Sequence, residues 1–80
     1  MSTQLKYIRT KNGVTIWPAM TSVWHKHMAE LTGQAIISAG FCRYTGTDFV
    51  CYGKSESLDI SSKPKDSQAL TAFFDTSMYD

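Results

Sequence analysis

The sequence predicts an α+β domain in the order ββαββα, a four-stranded antiparallel sheet with two helices packed on one face. Three observations carry this expectation. LKYIRT and VTIWP flank an Asn12-Gly13 dipeptide, and GFCRYTGTDFVCYG (residues 40–53) reads nearly the same from both ends. Each of these stretches is followed by a segment with apolar residues at helical spacing. Eighty residues make one domain, expected over 1–76 with 77–80 frayed. A chain this short buries only about 60% of its unfolded surface, so its core is thin.

In the first hairpin, Asn12-Gly13 suits a type I′ turn, whose two central positions need positive φ. That centring sets Thr10 against Thr15, Arg9 against Ile16 and Ile8 against Trp17. Pro18 ends the second strand, having no N–H for a ladder. Next, Met20, Val23, Trp24, His27, Met28 and Leu31 fall on one helical stripe, with Thr21 or Ser22 at its start and Gly33 placed to cap its end. On that stripe His27 is a core histidine and His25 an exposed one; Trp17 and Trp24 are also expected in the core.

The second hairpin turns at Gly46-Thr47, since glycine at the first central position is what a type II′ turn requires. The mirror then pairs Tyr44 with Phe49, Arg43 with Val50 and Cys42 with Cys51. The last helix, KPKDSQALTAFFD, is opened by Ser62 and Pro64 and presents Ala69, Leu70, Phe73 and Phe74 as its apolar side.

The cysteine pair is open to three readings. In the expected ladder Cys42 and Cys51 are a non-hydrogen-bonded pair, with Cα atoms about 4.5 Å apart, at the short end of what a disulfide tolerates. Two buried thiols are the first reading and a strained, reducible disulfide the second. A metal site is the third, but only His25 and His27 could add ligands, and side chains at i and i+2 of a helix point in different directions. Neither a metal nor a cofactor is expected.

Charge and motifs narrow the function. The net charge is +1, against strong non-specific binding to nucleic acid, although residues 1–54 hold six cationic side chains against two acidic ones. YGKS at 52–55 lacks the earlier glycine of a phosphate loop, because Asp48 stands there. No G-x-S-x-G elbow marks a nucleophile. No apolar run approaches the roughly 20 residues of a membrane span, and MSTQLKYIRTKNG has no apolar core of a signal peptide. The expectation is therefore a cytoplasmic, non-enzymatic module that binds a protein partner or a second copy of itself, with a homodimer favoured. Its expected contact residues are Arg43, Tyr44, Phe49 and Tyr52 at the second hairpin and Trp17 at the first. The alternative is a single-strand nucleic-acid binder that stacks bases on an open sheet face of Tyr7, Arg9, Phe41, Arg43 and Lys54.

GFCRY…DFVCYGKSESLDISSKPKD adds a resemblance. A hairpin ending in C-Y-G-x-S-x-S-L, then S-x-P-x-D opening a helix, resembles short uncharacterised proteins encoded by phages and prophages, over residues 40–74. The resemblance implies a small accessory protein in a bacterial cytoplasm that acts by binding. It carries over no functional residues.

Overall fold

Four antiparallel strands form the sheet in the computed structural model, which describes residues 4–77, without the side chains of 75–77. In chain order the elements are β1 (Leu5–Thr10), β2 (Gly13–Pro18), α1 (His25–Thr32), β3 (Ile36–Tyr44), β4 (Phe49–Tyr52), β5 (Lys54–Ser55), β6 (Ile60–Ser61) and α2 (Asp66–Ser77). The sheet runs β2-β1-β3-β4, and β5 pairs with β6 in a separate ribbon. The order is thus ββαββ, a two-stranded ribbon, then α, rather than the simpler ββαββα. Gly53 makes the ribbon possible: its φ of +78° turns the chain out of β4, and its carbonyl accepts from Ser62 N at 3.0 Å. Ser77 closes α2, and residues 78–80 of the segment expected to fray lie outside the described residues.

The two helices lie on opposite faces, which corrects the one-face expectation. Neighbouring residues of a strand point to opposite sides of the sheet, and β1 shows what each side meets. Tyr7 clusters with Cys42 and with Leu70 of α2, all fully buried. Ile8 clusters with Ala39 and with Met28 of α1, again fully buried. Leu58 and Ile60, from the loop and strand of the ribbon, complete the α1 side. Both faces of β1 and β3 need cover because both alternating sets are apolar at their centres, so one layer of helices cannot satisfy them.

The second hairpin has the expected register: Tyr44 faces Phe49, Arg43 faces Val50 and Cys42 faces Cys51. Gly46 has φ of +104°, and Thr45 N donates to Asp48 O at 2.9 Å. The first hairpin differs. Its loop is Lys11-Asn12, Thr10 faces Gly13, Ile8 faces Thr15 and Lys6 faces Trp17. Neither Asn12 nor Gly13 has positive φ. Gly13 belongs to the strand, where a Cβ would lie 3.5 Å from the Phe73 ring of α2. The pairing moves by two residues on β2, so the faces are kept while the cross-strand neighbours change.

Candidate functional site

On the α2 side the first chemistry is a polar core. Pro64 sits in the first turn leading to α2, and Asp66 reaches back to accept Lys63 N at 2.9 Å while its own N–H donates to Lys63 O at 3.0 Å. Only the carboxylate half of a capping box is present, because a lysine side chain has no acceptor to return the bond. The same carboxylate accepts from Ser38 Oγ at 2.9 Å, from Arg9 at 3.2 Å and from the Tyr7 hydroxyl. Asp66 is fully buried and Arg9 partly so. Burial alone would push the Asp66 carboxyl up, but the donors Tyr7, Lys63 N–H, Ser38 and Arg9 together hold it below its ordinary value. Burial, and then donation to Asp66, drive the Tyr7 phenol far above its own.

Cys42 and Cys51 face the same side as free thiols. The N–H groups of Phe49 and Cys51 point away from β3 and donate to Thr71 Oγ1 and Ser67 Oγ of α2, each at 2.9 Å. Both pairs, Tyr44–Phe49 and Cys42–Cys51, are therefore the non-hydrogen-bonded kind. The Cys42 thiol is pushed far up by its hydrogen bond with Cys51 and by burial, while that same bond draws Cys51 down against burial. Cys51 is the half-buried member of the pair.

The α1 side carries an aromatic and cationic row. Trp17, Lys6, Phe41 and Tyr52 stand directly opposite one another across all four strands. The Phe41 and Tyr52 rings stack at 6.3 Å, and Gln4 donates to the Tyr52 hydroxyl at 3.1 Å. The helix covers the neighbouring row, Ile8 and Ala39, but leaves Trp17 37% and Tyr52 39% exposed. Over Lys6 and Phe41 opens a concavity of about 540 Å³ whose other walls include Trp24, His25, Lys54 and Ser57. Trp24 stands just before α1, with its N–H on His27 Nδ1 at 3.2 Å, and is 53% exposed.

His25 forms the inner wall. Its Nε2 lies 2.7 Å from Gly40 O, and its ring meets Phe41 edge-on at 5.4 Å. A carbonyl can only accept, so Nε2 carries the proton and Nδ1 is left as an acceptor. Burial, assisted by the Lys6 charge, lowers the His25 pKa against that hydrogen bond, keeping the ring neutral at pH 7. The histidine roles are thus reversed: His25 is buried and His27 exposed. Helix α1 begins only at His25, so of the expected stripe Met28 alone is fully buried, while Met20, Trp24 and Leu31 are exposed.

The sheet's alternation splits both expected residue sets. Tyr44 and Phe49 lie on the α2 side, packed ring to ring at 4.9 Å with Phe74 beyond Phe49; Arg43, Tyr52 and Trp17 lie on the α1 side. Of the nucleic-acid set, Tyr7 is fully buried and Arg9 is engaged by Asp66, both on the α2 side. Only Phe41, Arg43 and Lys54 remain on the other side, and Lys54 is paired with Asp59 at 2.8 Å. Sequence reasoning missed Lys6, whose place opposite two aromatics follows only once the strand order is known, and Asp66, whose signal was the S-x-P-x-D run read as a helix start.

No group of three or more His, Cys, Asp or Glu side chains suited to a metal ion occurs among the described residues, and none of their helices is long and apolar enough to cross a membrane. Comparison with family models, curated proteins and solved structures found no match.

Proposed function

We propose that this chain is a small non-enzymatic binding module that works through protein–protein contact on the α1 side of its sheet. The observation that carries the reading is the row Trp17–Lys6–Phe41–Tyr52, exposed at its ends Trp17 and Tyr52 and extended by exposed Trp24 at the start of α1. Aromatic side chains that stay half in water on so small a domain are what a partner surface requires. The partner is another protein or a second copy of the chain. An accessory role of the phage kind is part of this proposal and rests on the resemblance of residues 40–74 alone.

The nucleic-acid reading is weaker because its stacking face loses Tyr7 and Arg9 to the buried core. A catalytic reading finds no support at His25, which bonds a backbone carbonyl rather than a hydroxyl or thiol.

Size-exclusion chromatography with light scattering, over a concentration series and with lysate proteins retained on the tagged chain, tests the proposal. Replacing Trp17 and Trp24 together by serine is expected to abolish association, whereas Tyr44→Ser on the α2 side leaves it intact. A chain that associates with nothing, or whose association ignores Trp17 and Trp24, overturns it.

A further inference from the structure

Lysine is almost never withdrawn from water without a partner, yet Lys6 is only 6% exposed. Its position explains the burial: β1 is an inner strand, and Trp17 and Phe41 flank Lys6 in register on both sides. The ammonium has three donors, and among the described residues it makes one hydrogen bond, to Thr21 O at 3.2 Å. No carboxylate pairs with it there. Asp66 is committed to Arg9 on the other face, and Asp59 to Lys54. A buried ammonium is costly unless an anion accompanies it, and Lys6 lies at a concavity large enough to admit one.

We infer that this concavity seats a carboxylate of the partner protein, held by Lys6 beside the rings of Trp24 and Phe41. The inference rests on the protein-contact reading and gives the partner its chemistry. Local charge selects a monoanion. The lining holds Lys6 and Lys54 against Glu56, while Lys26 lies over the Trp24 ring at 4.8 Å and Asp59 binds Lys54. Three cations against two acids leave one positive charge to match. A phosphate dianion would overshoot that charge and meet Glu56 at close range. The aromatic walls favour a carboxylate carried next to an aromatic or large apolar group, as at an acidic residue or chain end with such a neighbour.

Proton–nitrogen NMR of the whole labelled chain, titrated with N-acetyl-phenylalanine, with its uncharged amide and with inorganic phosphate, tests this. The carboxylate is expected to shift the Trp24 indole and the Phe41 and His25 amides saturably, and to bind about tenfold more tightly than the amide. Lys6→Gln removes that preference, and Lys11→Gln, in the loop of the first hairpin, keeps it. Equal binding of acid and amide to the unaltered chain overturns the carboxylate seat without need of any variant, as does tighter binding of phosphate. The two readings also fail separately. A carboxylate preference in a chain whose association ignores Trp17 and Trp24 leaves the seat standing and removes the protein contact. Association that needs those residues, with no carboxylate preference, does the reverse.

Discussion

Asp66 accepts four hydrogen bonds, from Tyr7, Arg9, Ser38 and Lys63 N, and so ties the start of α2 to β1 and β3. Its carboxyl is held low in the fold, so the unfolded chain takes up a proton first as pH falls. The stability Asp66 contributes is complete above the ordinary carboxyl value, about 4, and is lost as pH drops through the lower folded value. His25 acts earlier and in the same direction. Its folded pKa is lowered, so its contribution is complete above about 6.5 and declines as pH falls from there toward the folded value. Urea midpoints measured from pH 8 to pH 3 are expected to fall in two stages. Asp66→Asn should cost about 3 kcal/mol at pH 7 and remove the acid stage, while His25→Asn should flatten the stage that begins near neutrality. A profile unchanged by either substitution would contradict these roles.

The β3–β4 hairpin was legible in the sequence because its turn residue and its mirrored side chains both specify one register, and local and tertiary preferences agree there. At the first hairpin the Asn12-Gly13 signal was real but local, and a strand position for Gly13, packed by Phe73, prevailed over it. Helix α1 was misread for a related reason. Its stripe describes an ideal helix from Met20 onward, whereas the helix starts at His25 and meets the sheet along another line. The seat at Lys6 could not be read at all, because a lone lysine in an alternating strand looks like the solvent side of a sheet. Gly40, between the inner-facing Ala39 and Phe41, had no sequence signal either. A Cβ there would stand 2.6 Å from the backbone oxygen of Tyr52, so the strands must part to admit it. Gly40→Ala is expected to cost about 1–3 kcal/mol and to disturb the amides of β4 in NMR spectra; a neutral substitution would show that this approach is looser than described.

The whole molecule divides its apolar burial between two small clusters that share a single sheet. Tyr7 and Ile8 are neighbours in β1 yet anchor opposite clusters, so neither cluster can melt without loosening the backbone of the other. Leu70→Ala and Met28→Ala are each expected to cost about 2–5 kcal/mol, a large share of the roughly 4–12 kcal/mol of a domain this size. In each variant, tryptophan fluorescence from the α1 side and backbone circular dichroism should give one coincident transition; separated transitions would mean that the faces unfold independently. The hydroxyls of Ser67 and Thr71 have one more effect at this scale. By occupying the outward N–H groups of Cys51 and Phe49 they close the β4 border of the sheet, while β2 pairs with no further strand among the described residues. A sheet open at one border can be lengthened there once, by a strand from a second copy, and the two closed borders then face outward. Strand addition to this sheet is therefore expected at β2 rather than at β4.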